Sequence, residues 1–199
     1  MTVVTKGNRA RAREDLRASI YAAAIGLFRW NGYAATSVDS IVTSAGVAKG
    51  TFFNFFPSKL DALKAYYREI DVEVVRVRRR LDPSEPSLSL RLYAEGVERI
   101  LRREGALMIE LLTMALHEPE MRRIDTDSGD IDGGEFAEFF REAITAGTLG
   151  AHIDPENAAA ALIDLWSGAM RAWLVDPEKQ CLRNLFDARV CMLFEGIGK

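Results

Sequence analysis

The sequence predicts an all-α protein, with about nine helices in all. Three observations carry this. Period-two runs of β-branched residues between hairpin turns are absent from the 199 residues. Apolar residues recur instead at spacings of three and four, segment after segment. Asn-Gly, Asp-Pro and Ser/Thr-x-x-Asp signals punctuate those segments where helices would stop and start. With 48% hydrophobic and 28% charged residues, the chain has enough apolar content to offset the entropy of ordering.

Leu16, Ile20, Ala24, Leu27 and Phe28 share one face of a helix from about Arg9 to Trp30, and Asn31-Gly32 supplies a left-handed end. Thr36-Ser37-Val38-Asp39 reads as a capping box opening a short helix to about Ser44. Ala45-Gly46-Val47 is a tight turn, and a second short helix covers Ala48 to about Phe55. Pro57-Ser58 stops it, and Ser58-Lys59-Leu60-Asp61 is a second capping box at the head of a long helix toward Arg80. Two prolines in Asp82–Pro86 make the clearest break. Helices are then expected around 87–104 and 105–117, a loop from Glu118 to Gly134, and helices near 135–147, 155–175 and 178–196. Asp154-Pro155 and Asp176-Pro177 each pair an N-cap with proline at the first helical position.

The net charge of −3 hides an asymmetry. Residues 1–68 hold ten Lys/Arg against four Asp/Glu, a net of +6, whereas residues 69–199 hold sixteen against twenty-five, a net of −9. A basic first third on an acidic body points to a polyanionic partner for that third alone. No run of 18 apolar residues suggests a membrane span, and the polar, basic Met1–Arg17 lacks the apolar core of a signal peptide. The expectation is a soluble, cytoplasmic, reduced protein without a membrane partner.

Catalytic and metal signatures are missing. No GxSxG, phosphate-loop or dinucleotide fingerprint is present, so neither an enzyme nor a cofactor is expected. Asp125–Asp132 superficially resembles a calcium loop, but Asp130 occupies the glycine position and Phe136 the closing glutamate position. His117 and His152 stand far apart in sequence, and no Cys-x-x-Cys occurs, so no metal site is expected. Cys181 and Cys191 read as small buried hydrophobes sooner than as a redox pair.

The informative segment is 36–55, two short helices joined by Ala45-Gly46-Val47. Small residues at the turn let the helices meet steeply, as in a helix-turn-helix, with Ile41 and Val47 buried against Leu27 and Phe28. The second helix opens Ala48-Lys49-Gly50-Thr51: a cation, a residue without a side chain that permits close backbone approach, and a hydroxyl. Such a helix can enter a major groove by its N-terminal residues.

The run Ala35-Thr36-Ser37-Val38-Asp39-Ser40-Ile41, followed by Ala45-Gly46-Val47-Ala48-Lys49-Gly50-Thr51-Phe52-Phe53-Asn54-Phe55-Phe56-Pro57-Ser58-Lys59, resembles the TetR family of transcriptional regulators. Ala22-Ala23-Ala24, Leu27-Phe28 and Asn31-Gly32-Tyr33 match that family's first helix and its exit, and the resemblance spans roughly residues 13–66. It implies a three-helix N-terminal DNA-binding head with the helix-turn-helix, residues 9–57, and a larger helical C-terminal effector-binding and dimerisation body, residues 58–199. The partners implied are a palindromic double-stranded DNA operator, a small-molecule effector, and a second copy paired through the last two helices. Thr36 and Lys59 would meet backbone phosphate, with Ser37 beside them at the helix start; Lys49, Gly50, Thr51 and Asn54 would face the groove. The family usually carries tyrosine where this chain has Phe53, and tyrosine or histidine where it has Phe55. Phe53 is therefore expected as a packing or thymine-methyl contact.

Trp166, Trp173, Met108, Met114, Phe139, Phe140 and Met170 are candidates to line an effector cavity between about Tyr93 and Met170, although residues of this kind most often form core. The competing reading is a helical protein–protein interaction module whose basic head takes an acidic partner.

Overall fold

Alanine, arginine, glutamate and leucine are strong helix formers. They carry α1 (Lys6–Asn31) back beyond the apolar face that begins at Leu16. The computed structural model describes residues 6–117 and 133–197, and all regular structure among them is helical. After α1 come α2 (Val38–Ala45), α3 (Lys49–Phe53), α4 (Lys59–Arg78), α5 (Pro86–Glu104) and α6 (Ala106–His117). A helix over 133–145 is α7, followed by α8 (Pro155–Val175) and α9 (Leu182–Ile197). The calcium-like stretch and most of the expected 118–134 loop lie outside the described residues.

The chain falls into two compact units. One takes in the chain up to Glu69 together with Ala106–Leu111; the other takes Ile70–Gly105 and the chain from Leu112 onward. In the first, Ile20, Ala24 and Phe28 of α1, Ile41 of α2, Phe52 of α3 and Leu63 of α4 are buried. Phe52 and Phe56 have ring centroids 5.7 Å apart, and Phe28 meets the edge of Tyr33 at 5.2 Å. Gly32 and Gly46 both have positive φ, closing α1 and α2. Burial and a 2.6 Å hydrogen bond to the Glu69 carboxylate push the Tyr21 phenol well above its ordinary range.

In the second unit, α9 packs on α5 and α8. An aromatic chain ties the helices: Phe136 of α7 to Tyr93 of α5 at 5.7 Å, Tyr93 to Trp166 of α8 at 5.2 Å, and Trp166 to Phe186 of α9 at 5.0 Å. Trp173, Phe139 and Phe140 are buried, and Met170 and Trp166 partly so. Asp154 caps α8 as expected, accepting from the Asn157 N–H at 2.7 Å ahead of Pro155. By length and composition α8 is able to cross a membrane; here Ala158, Leu162, Ala169 and Trp173 are buried inside the protein.

The start of α9 differs from the expectation. Asp176-Pro177 caps only a single turn, with Gln180 N–H returning to Asp176 O, and α9 begins at Leu182. The reason lies on α5. Arg102 donates to the Pro177 and Gln180 carbonyls at 2.9 and 2.7 Å, holding the turn open. The buried Glu98 carboxylate accepts the Arg183 N–H at 2.9 Å, acting as the cap of α9. Burial alone would raise the Glu98 carboxyl; hydrogen bonds from Arg183 N–H, Arg102 and Cys181 outweigh it and hold the group below the usual glutamate range.

Gly96 sets how closely α5 passes α4, since a Cβ there would lie 2.6 Å from Val77 Cγ1. We expect Gly96→Ala to cost about 1–3 kcal/mol by overpacking, read as a lower thermal midpoint in circular dichroism. An unchanged or raised midpoint would contradict this packing.

Candidate nucleic-acid interface

The segment singled out by sequence folds as a helix-turn-helix, but its cap is shifted by one residue. The structure corrects the expected Thr36–Asp39 box: Ser37 is the N-cap of α2, accepting from Ser40 N–H at 3.0 Å, while Ser37 N–H donates to Ser40 Oγ at 3.2 Å. Thr36 is buried, its hydroxyl turned back to the Gly32 and Leu27 carbonyls at 2.8 and 3.2 Å. A side chain so placed closes the C-terminus of α1 and has no free face for a phosphate. At the other end of α2, Gly46 in the left-handed conformation sends its N–H to Thr43 O, and Val47 N–H bonds Val42 O, which reverses the chain into α3.

Helix α3 is a single short turn anchored by Phe52, whose ring is wholly buried. That anchor leaves its neighbours outside. Lys49, Gly50 and Asn54 are exposed, Phe53 keeps 44% of its surface, and Thr51 is half-buried. Lys49 Nζ pairs with Asp39 of α2 at 2.8 Å, both side chains being more than half exposed. A surface pair of this kind contributes about 0–1 kcal/mol, so a phosphate can displace the carboxylate at little cost. Nothing lies within 4 Å of a Cβ built on Gly50. The fold therefore does not require glycine there, and the bare backbone faces open space. Ser37, at the head of α2, is exposed as well.

Lys59 and Phe55 have inward commitments. Lys59 Nζ donates to the Tyr33 and Thr36 carbonyls at 2.7 and 2.8 Å and stacks 4.1 Å from the Tyr33 ring centroid. Burial holds its ammonium below the usual lysine range, against the pull of Glu110. The structure thus gives Lys59 a positioning part: it ties the head of α4 to the α1–α2 turn, in place of the expected phosphate contact. Ser58 caps α4 as expected, accepting from Asp61 N–H at 3.2 Å. Phe55 lies under the Arg13 guanidinium at 5.6 Å and Phe56 under Arg17 at 5.2 Å. Arg9 and Arg11 stand exposed on α1.

Sequence reasoning missed Glu110. Its carboxylate accepts the Tyr33 N–H at 3.0 Å and the Ala34 N–H at 3.4 Å, orienting the turn that leads into α2. It lies in the part of α6 that belongs with the head, 77 residues from its partner, and no local pattern announces it. Among the described residues no cluster of three or more His, Cys, Asp and Glu is placed to hold a metal. His117 and His152 are exposed. Cys181 and Cys191 are free, half-buried thiols, the first donating to Glu98 at 3.3 Å.

Residues 20–66 match the family described as bacterial regulatory proteins, tetR family. Transcriptional regulator AcuR of Cereibacter sphaeroides is 32% identical over 147 residues, 70% of this chain and 67% of that protein. HTH-type transcriptional regulator CymR of Pseudomonas putida is 26% identical over 111 residues, 54% of this chain and 55% of its own. The chain thus spans about half the length of that second relative. Among solved structures, Thermus thermophilus FadR, a TetR-family transcriptional repressor in complex with lauroyl-CoA, has a TM-score of 0.67 at 25% identity, covering 90% of this chain and 94% of that one. SmeT, the repressor of the Stenotrophomonas maltophilia multidrug efflux pump SmeDEF, shares the fold with a TM-score of 0.70 at 22% identity, covering 92% and 90%.

Proposed function

The chain belongs to the tetR family of bacterial regulatory proteins, DNA-binding transcriptional regulators, and from that premise we propose that it is a ligand-released repressor acting as a dimer on a palindromic operator. The observation that carries this is the uncovered tip of α3. Lys49, Gly50 and Asn54 stand in solvent beside the exposed ring of Phe53, on a head whose net charge favours a polyanion. One short helix reads one half-site, and two must sit about 34–36 Å apart to meet successive major-groove faces. Apolar surface on α8 and α9 supports pairing of two copies there: Val175 and Met192 are 82% and 65% exposed, and Leu165, Leu185 and Leu193 are only half covered.

The neighbour crystallised with lauroyl-CoA supports a small-molecule effector in the body. Such a ligand releases DNA only by binding one arrangement of the two heads more tightly than the other. Ser37 is assigned to a backbone contact, and Lys49, Gly50, Thr51, Phe53 and Asn54 to the groove. Cytoplasmic location follows from that role, since the operator lies there.

The test is an operator selected from random duplexes and bound at several salt concentrations. Lys49→Ala with Asn54→Ala is expected to weaken binding by about 1–3 kcal/mol for each side chain truncated, with helicity and sedimentation unchanged. Undiminished affinity would overturn the reading and favour an acidic protein partner for the head. The salt slope should count the cationic contacts, about 0.9 for each phosphate that a lysine or arginine neutralises. If Lys49 exchanges Asp39 for a phosphate, Lys49→Ala should lower the slope by about that much, and an unchanged slope would contradict this. Gly50→Ala separates fold from function. It should hold or raise stability by about 0.5–1 kcal/mol while lowering operator affinity, because the methyl enters the space kept for the duplex. Equal affinity would remove Gly50 from the interface.

A further inference from the structure

The acidic body carries a cationic groove. Between the C-terminal end of α4 and the outer face of α5 lies a half-open cavity of about 670 Å³, within the range of small-molecule sites, about 300–1,000 Å³. Four arginines border it, Arg76 and Arg80 from the α4 side and Arg99 and Arg103 from α5, against two glutamates, Glu73 and Glu95. The glutamates are already committed: Arg103 meets Glu73 at 3.0 Å, and Arg99 meets Glu95 at 3.1 Å. Arg76 and Arg80 are exposed and form no ion pair among the described residues. Arg76 stands on the last turn of α4 and Arg80 on the turn that follows it, and both border the groove. The groove thus has an uncompensated double positive charge at one wall, in a region whose net charge has the opposite sign.

Its floor and far wall are apolar. Val77, Leu92, Tyr93 and Ile100 line it, and Leu92 leaves 55% of its surface in water. Gly96, where α5 passes close to Val77, keeps the floor low. A guanidinium pair beside an apolar trough matches one chemistry: a compact anionic head, phosphate or carboxylate, carrying a hydrocarbon tail. Guanidinium forks take such heads through paired, charge-assisted hydrogen bonds, and the tail covers the leucine that the fold leaves bare.

We propose that this groove binds an anionic amphiphile, with its head on Arg76 and Arg80 and its tail along Val77, Leu92 and Ile100. The groove shares no residue with the α3 tip and meets the aromatic chain of the body only at Tyr93. It stands whether or not its occupancy releases DNA.

The test is calorimetric titration of the full chain with dodecyl phosphate below its micelle concentration, beside inorganic phosphate and dodecanol. Wild-type protein should bind dodecyl phosphate more tightly than either fragment. Arg76→Gln with Arg80→Gln should weaken it about tenfold or more while leaving the affinity for dodecanol as it was. Leu92→Gln should weaken dodecyl phosphate and leave inorganic phosphate unaffected. All three side chains are exposed, so thermal midpoints and operator affinity should hold, which separates failure of this site from failure of the repressor reading. No binding by the wild type, or equal binding by the double arginine variant, would overturn the proposal. Binding to phosphatidylglycerol vesicles but not to the monomeric amphiphile would also overturn it, in favour of a lipid surface.

Discussion

Replacing Glu98 with alanine is expected to lower stability by about 2–4 kcal/mol, somewhat less than the about 3–5 kcal/mol of breaking a fully buried ion pair because Arg102 is partly exposed. The carboxylate holds four groups together: Arg102 Nε and Nη2 at 2.8 and 2.6 Å, Cys181 Sγ at 3.3 Å and Arg183 N–H at 2.9 Å. Its loss uncaps α9 and leaves Arg102 without the partner that orients it toward the α8–α9 turn. For a chain of this size each kcal/mol shifts the thermal midpoint by about 2–4 °C. The contribution also has a definite pH dependence. The folded carboxyl lies below its ordinary value, so the stabilisation is complete above the unfolded value of about 4.3 and is lost as pH falls through the folded one. The gap between wild type and Glu98→Gln should therefore narrow under acid. A gap independent of pH down to the acid transition would show that the residue acts by packing alone. If α9 pairs two copies, Glu98→Ala should also weaken the dimer in sedimentation.

Adjacent aromatics in α3 should respond in opposite ways. Phe52→Ala is expected to cost about 3–5 kcal/mol, because a wholly buried ring leaves a cavity among Phe56 and its neighbours. That is a large share of what a small unit has to spare, so operator binding should vanish through melting of the head. Phe53→Ala should leave the thermal midpoint nearly unchanged, since its ring is 44% exposed, and should lower operator affinity without loss of helicity. Should Phe53→Ala unfold the head, or Phe52→Ala leave it intact, the assignment of inside and outside on α3 would be reversed.

Most of the helices were legible in the sequence because their causes are local. Gly32 and Gly46 adopt the left-handed conformation that ends a helix, Asp154-Pro155 starts one, and the apolar spacing of Ile20, Ala24 and Phe28 marks a buried face. The exposed set at α3 was legible for a similar reason: a turn of small residues followed by Lys49-Gly50 presents a helix tip. Where two local signals competed, sequence alone could not choose. Thr36 and Ser37 both suit an N-cap, and the choice fell to Ser37 because Thr36 fits the carbonyls at the end of α1.

Composition, helical periodicity and turn chemistry thus set the fold class, the element order and the tip that faces solvent, since each depends on residues within a turn or two of one another. The direction in which each charge points was decided only when distant segments met. Lys59 turned from solvent to the Tyr33 and Thr36 carbonyls, Glu110 reached the backbone of the α1–α2 turn, and Glu98 moved the start of α9 from Pro177 to Leu182. A buried or half-buried charge goes where polar partners can satisfy it, and those partners are known only once the chain has folded.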